Sequence, residues 1–296
     1  MQIGFKCPDG GLILHEDCLK KCRMGKRCAC ITTLYGMAEA RKWTGKPSVT
    51  QLLKGTREAY LTIMHDFYVD PQKLMYSIHG RMVHFWNEHY GKLMGFPVEI
   101  THPDNKITGI LDLLIPTGKE NEFDLVDYKT WGSYTAAKAL GYFTVDVATG
   151  GYYKSGAKKG LLRTKKEVQQ SDDEIDWSGA DLQLNQYRLY CEEKGMTIRD
   201  LKVEVKVRDG GIMAASRRGV KNNIYYLDVP RLPDDEVKDH FDSQYGKLMA
   251  AVKSATIPEV CTEEERWDDN KCKKYCDVAE FCDHGKACRD DCPFED

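Results

Sequence analysis

Residues 123–130 read FDLVDYKT, an apolar run carrying an acid and an amine two residues apart, Asp127 and Lys129. On a strand, positions i and i+2 share a face and lie roughly 6–7 Å apart along the chain. Asp127 and Lys129 therefore point one way, and Val126 and Tyr128 the other. Just upstream, GILDLLI (109–115) plants a lone acid, Asp112, inside a second apolar strand. If the two strands pair, the carboxylates converge, and buried carboxylates are costly unless a cation or proton compensates them. A hard divalent cation with oxygen ligands meets that cost.

Taken alone, an acid two residues before a lysine carries little information. The pattern also occurs at Asp104–Lys106, Glu192–Lys194, Glu204–Lys206, Glu236–Lys238 and Asp269–Lys271. Charged pairs in turns, helices and tails are ordinarily solvated surface. Glu204–Lys206 is the rival within a strand. There Lys202, Glu204, Lys206 and Arg208 alternate into one polar face, which reads as a solvated or DNA-facing strand.

Working outward, EFDLVDYKT (122–130) follows ITGILDLLI (107–115) and PVEIT (97–101), separated by the turn-rich PTGKEN and HPDNK. That is the pattern of an antiparallel meander. Before it, residues 31–68 read as helical with a turn at TGKP (44–47). KLMYSIHGRMVHFWNEHYGKL, after the DPQ at 70–72, keeps helical period. After it come a basic, flexible loop (154–167), a helix at 179–195, strands at 201–209 and 222–230, and a final helix opening on PDDE. Acids in that first turn suit the helix dipole. The order predicts an α/β fold with a mixed central β-sheet flanked by helices. The segments are an N-terminal cysteine module (1–30), a helical segment (31–74), a core (75–255) and a C-terminal cysteine module (256–296).

The 296 residues, 42% hydrophobic with a net charge of −3, suit one large domain or one domain with small appendages. An acidic balance does not advertise nucleic-acid binding, though it leaves room for a basic groove. The start MQIGFKCPDGG lacks a signal-peptide core, and no run approaches a membrane helix. A soluble, cytoplasmic protein is expected. Of 12 cysteines only Cys191 lies outside the two ends. In a reducing compartment, clustered cysteines point to metal. Cys7, Cys18, Cys22 and Cys28 repeat the spacing of Cys261, Cys272, Cys276 and Cys282 (x10, x3, x5). Cys30, Cys288 and Cys292 are surplus to that repeat.

Two further helical pairs complete the set. In HGRMVHFWNE, Gly80 and His84 share a helical face, and in QLNQYRLY so do Gln183 and Tyr187. In order, Gly80–His84, Gly109–Asp112, Asp127–Lys129 and Gln183–Tyr187 make a G-x3-H, G-x2-D, D-x-K, Q-x3-Y series over residues 75–190. The chain thereby resembles the RecB-like exonucleases of the PD-(D/E)XK nuclease superfamily, including its iron–sulfur-containing CRISPR-associated and viral members. The resemblance implies a restriction-endonuclease-like core. It implies that His84, Asp112, Asp127 and the carbonyl of Tyr128 ligate Mg2+ or Mn2+. Lys129 would orient or deprotonate the attacking water, so that Asp127 faces the metal, Lys129 faces the water and the two charges form no mutual salt bridge; Gln183 and Tyr187 would position the DNA strand, and Glu99 would orient a water at the metal. The implied activity is exonucleolytic hydrolysis of single-stranded DNA or duplex ends, for recombination, repair, viral DNA processing or CRISPR adaptation. A structure-selective or restriction-like endonuclease, and a vestigial cysteine-rich nucleic-acid-binding module, are the alternatives. Lys154, Lys158, Lys159, Arg163, Lys165 and Lys166 would track phosphates.

The same resemblance implies a [4Fe–4S] cluster that clasps the chain ends. KCKKYCDVAEFC would supply Cys272, Cys276 and Cys282, and an upstream module with Cys18, Cys22 and Cys28 a further thiolate. The separation of Cys272 from Cys276 by three residues departs from the family's usual two. Four thiolates in each module equally satisfy closed zinc sites, so structural Zn2+ stands as the alternative or an addition.

Overall fold

The computed structural model describes residues 1–39, 42–103 and 106–290. Asp104, in the expected turn HPDNK, and Cys292 lie outside the described residues. The chain is α/β, with mixed sheets flanked by helices and a cysteine-rich C-terminal region. Among the described residues no helix is long and apolar enough to cross a membrane. Two compact units form. One comprises Met1–Tyr90, Glu99–Leu111 and the chain from Pro233; the other comprises Gly91–Val98 and Asp112–Leu232.

In the first unit, β1 (Gln2–Lys6) pairs antiparallel with β2 (Leu12–Leu14) and parallel with β3 (Phe67–Val69). Gly4 has no room for a side chain, because a Cβ there would sit 2.2 Å from the Ile13 carbonyl oxygen. Residues 31–68 are therefore not helical throughout. Helices Ile31–Ala38, Val49–Leu52 and Thr56–Met64 form, the second opened by a Ser48–Gln51 capping box, but the segment ends in β3. Three residues are too few to show a period, and their partner lies some sixty residues back in β1. The helix Thr56–Met64 packs on Asp234–Ser254, with Thr56 Oγ1 donating to Gln244 Oε1 at 2.7 Å. Leu61, Val237, Phe241 and Leu248 are buried there. The long helix Pro71–Leu93 carries the G-x3-H pair.

Five strands form one sheet in the order β10-β9-β6-β5-β4: β4 Val98–Pro103, β5 Thr108–Pro116, β6 Glu122–Trp131, β9 Thr197–Val207 and β10 Ile224–Val229. β6 pairs antiparallel with β5 and parallel with β9, and β9 pairs antiparallel with β10, so the sheet is mixed as expected. The parallel step from β6 to β9 is spanned by helix Ser133–Ala139, a hairpin and helix Ala180–Glu193, which packs on β9 and β6. In that hairpin β7 (Tyr142–Tyr152) pairs antiparallel with β8 (Leu162–Gln170). Strand thus replaces the second half of the basic loop expected at 154–167. Nearly every residue of β8 is exposed, so no apolar alternation marks it.

Arg188 is fully buried in the second unit. It donates to Asn185 Oδ1 and the Leu232 carbonyl and pairs with Glu192 at 2.9 Å. Leu125, at the centre of β6, is 0% exposed. Truncating it removes apolar contacts and leaves a cavity, so Leu125→Ala should cost about 2–5 kcal/mol. The shift of the urea midpoint, read at unchanged slope, measures it.

Candidate active site and cysteine clusters

The pleat of β6 sorts FDLVDYKT as its alternation requires. Val126 and Tyr128 pack with Leu113, Phe96, Val98 and Ile115 on one face. Asp127 and Lys129 point to the other, toward helix Ala180–Glu193. Leu113 faces Val126 in the antiparallel register, so Asp112 and Asp127 are the residues immediately beyond that pair. Asp112 Oδ2 accepts the backbone N–H of Tyr128 at 2.8 Å, which ties the two acidic strand positions to one patch of sheet.

Lys129 Nζ lies 2.7 Å from Asp127 Oδ2, contrary to the expectation that these charges would not pair. Asp127 is only 3% exposed, and the nearest ammonium compensates its charge. Gln183 ties the group together: its Oε1 accepts from Lys129 Nζ at 2.8 Å, and its Nε2 donates to Asp127 Oδ1 at 3.2 Å. The Gln183 amide also reaches the Tyr187 hydroxyl at 3.4 Å, one helical turn on. Asp112, Asp127, Tyr128, Lys129, Gln183 and Tyr187 are thus brought together by two strands and one helix. The carboxylates offer hard oxygen donors of the kind Mg2+ or Mn2+ takes, so the residues fit a divalent cation. The rival pair Glu204–Lys206 sits in register with Tyr128 and Thr130, on the opposite face of the sheet.

His84 and Glu99 belong to the first unit. His84 Nδ1 stands 3.8 Å from Glu99 Oε1 in a cleft of about 390 Å3, which Gly80, Arg81 and Glu88 also line. Glu99 has φ of 49°, a left-handed conformation rare for a non-glycine residue and recurrent at functional positions.

The cysteines gather end by end. Burial pushes the Cys18 thiol up, helped by the thiols of Cys7, Cys28 and Cys22, the same four that the sequence spacing groups. Arg27 holds the loop by donating to the Cys18 carbonyl at 2.8 Å. At the other end, Cys261, Cys272, Cys276 and Cys282 line one cavity of about 30 Å3 with Arg57, Glu58 and Lys271. The backbone of Gly55 approaches it so closely that a Cβ would lie 2.6 Å from Cys261 Sγ. Arg57 Nη1 reaches Cys282 Sγ at 3.4 Å. Burial, with Glu58 nearby, pushes Cys276 up to about 11. Burial, then Cys288, Cys276, Asp269 and Cys261, pushes Cys272 up to about 12. Thiolates so disfavoured become stable beside a cation, and four thiols around one cavity fit a metal group.

Beside that cavity lies a group of mixed donors. One ligand atom from each of Asp269, Cys272, His284 and Cys288 falls within 4.8 Å of the others, an arrangement able to hold a metal ion. In the sequence Cys288 stands outside the cysteine repeat, Asp269 shows only as the acid of Asp269–Lys271, and His284 belongs to neither pattern. The available signal was the H-x3-C spacing of His284 and Cys288, which share a helical face.

Compared with known proteins, the chain matches no family model, no curated protein and no solved structure.

Cys191 is the one cysteine in the middle of the chain, buried in helix Ala180–Glu193, and burial raises its pKa to about 12. Thiolate is the reactive form, so at pH 8 Cys191 should resist iodoacetamide in the native protein and react only after unfolding. Peptide mass spectrometry of the labelled protein checks this.

Proposed function

We propose that the chain is a divalent-metal-dependent deoxyribonuclease with a restriction-endonuclease-like core, acting as a RecB-like exonuclease on single-stranded DNA or duplex ends. The observation that supports this reading is the convergence of Asp112, Asp127, Lys129 and Gln183 on one side of the sheet. Three separate elements supply them: Asp112 accepts from the Tyr128 N–H, and Asp127, Lys129 and Gln183 are joined by contacts of 2.7–3.2 Å.

Asp112 and Asp127 would hold Mg2+ or Mn2+, which supplies charge to polarise the scissile phosphate and to acidify water. Tyr128 would add its carbonyl and, on the resemblance in sequence, His84 an imidazole. Asp112 is held in place by the Tyr128 N–H. Lys129 is held by Gln183 Oε1 at 2.8 Å. From there its ammonium orients the attacking water and donates to the charge that develops on the phosphate oxygens. Gln183 restrains Lys129, and together with Tyr187 it positions the strand to be cut. The β7–β8 hairpin presents Lys154, Lys158, Lys159, Arg163, Lys165 and Lys166 on an exposed surface, where phosphate contacts cost little desolvation. Lys158 and Arg163 lie over the Tyr153 ring, so the arm offers an aromatic surface along with its charge.

Labelled linear DNA with Mn2+ tests the reading. Wild type should degrade it, and Lys129→Ala and Asp112→Ala should each lose about 10²–10³-fold in rate. A wild type as inert as its variants on single-stranded and duplex DNA removes the enzyme reading. Cleavage of circular DNA would convert the exonuclease into an endonuclease.

A further inference from the structure

We propose that Asp269, Cys272, His284 and Cys288 form a structural zinc site, separate from the catalytic cation and independent of whether the chain is a nuclease. The donors comprise two thiols, an imidazole and a carboxylate. Zinc accepts that mixture in closed four-coordinate sites. Iron–sulfur clusters call for thiolates, and Mg2+ for oxygens.

The local backbone is organised around these four side chains. Asp269 precedes helix Asn270–Lys274, which carries Cys272, while His284 and Cys288 lie one turn apart on helix Asp283–Asp290. Asp269 ends a run of three consecutive non-glycine residues in the left-handed region, with φ of 53°, 51° and 67° for Trp267, Asp268 and Asp269. Such strain persists only where the surroundings over-determine it. Arg289 fixes the other side, donating to the carbonyls of Cys272 at 3.2 Å and Cys276 at 2.7 Å.

The polar contacts inside the group conflict without a cation. His284 Nε2 lies 2.8 Å from Asp269 Oδ1 and 2.7 Å from Arg266 Nη1. As an acceptor for Arg266 it turns a lone pair on the carboxylate, and as a donor to Asp269 it meets the guanidinium N–H. One ring nitrogen cannot serve both. A zinc ion takes the imidazole lone pair and the carboxylate oxygen together, and leaves Arg266 its contact with Asp269 at 2.5 Å.

The consequence is a division of the C-terminal thiols. Cys272 serves zinc, and Cys261, Cys276 and Cys282 remain around the adjoining cavity. Any thiolate cluster there then needs a fourth ligand other than Cys272.

Zinc per full-length chain, measured by elemental analysis after anaerobic purification, tests the site. His284→Ala and Cys288→Ser should each lose about one zinc equivalent relative to wild type. His284→Cys, which keeps a donor in place, should retain the ion, separating loss of a ligand from loss of the fold. Cobalt-substituted wild type should show the visible absorption of a tetrahedral site with two thiolates. A wild type without zinc, zinc undiminished in both His284→Ala and Cys288→Ser, or a cobalt spectrum that is the same in wild type and His284→Ala overturns the proposal.

Discussion

A carboxylate in the interior of a sheet has to be compensated, and Asp127 imposes that requirement on everything around it. It sits mid-strand in β6 with Asp124, Leu125, Val126 and Tyr128 buried on either side of it. Leaving its charge in so dry a place costs several kcal/mol unless a cation stands close, of order 3–5 kcal/mol when one partner of a buried pair is lost. The sheet answers with Lys129 from the same face and strand, and the helix Ala180–Glu193 answers with the amide of Gln183. The crossover that returns the chain as β9 alongside β6 is what brings that helix onto this face. Topology and charge compensation are here two aspects of one arrangement.

The parts of this arrangement that could be read in advance are those set by short-range geometry. Alternation along β6 fixes which residues face Asp127, and one-turn spacing puts Gln183 beside Tyr187. Strand pairing of 107–115 with 122–130 follows from the turn between them. What escaped was non-local or lacked a period. β3 pairs with a strand some sixty residues earlier, and nothing in Phe67–Val69 signals that partner. β8 is solvent-exposed along most of its length, so it carries no hydrophobic stripe to betray it. The Lys129–Asp127 ion pair departs from the implied separate roles for a different reason: proximity alone makes the amine the carboxylate's first counter-ion.

The two cysteine-rich ends show how far spacing carries. Cys7, Cys18, Cys22 and Cys28 are drawn together at one end, and Cys261, Cys272, Cys276 and Cys282 around one cavity at the other. In each, an arginine grips the carbonyl of the second cysteine, Arg27 at Cys18 and Arg289 at Cys272. The two arginines stand at different places relative to the repeat, Arg27 inside it and Arg289 beyond Cys282. Spacing says nothing of Asp269 and His284, whose nearness to Cys272 depends on the turn through Trp267 and the packing of the last helices.

The interleaved composition of the two units bears on how the polypeptide is made. The second is complete once residue 232 has been synthesised, whereas the first needs helix Asp234–Ser254 against Thr56–Met64. On a ribosome adding roughly 5–20 residues per second, the earlier helices wait for a partner some 180 residues downstream. Leu61 on the earlier helix and Val237, Phe241 and Leu248 on the later one are all buried in the finished fold, where the two helices pack together. The order of completion therefore departs from the order of synthesis: the central segment can be completed first, and the N-terminal segment is completed by the C-terminal one.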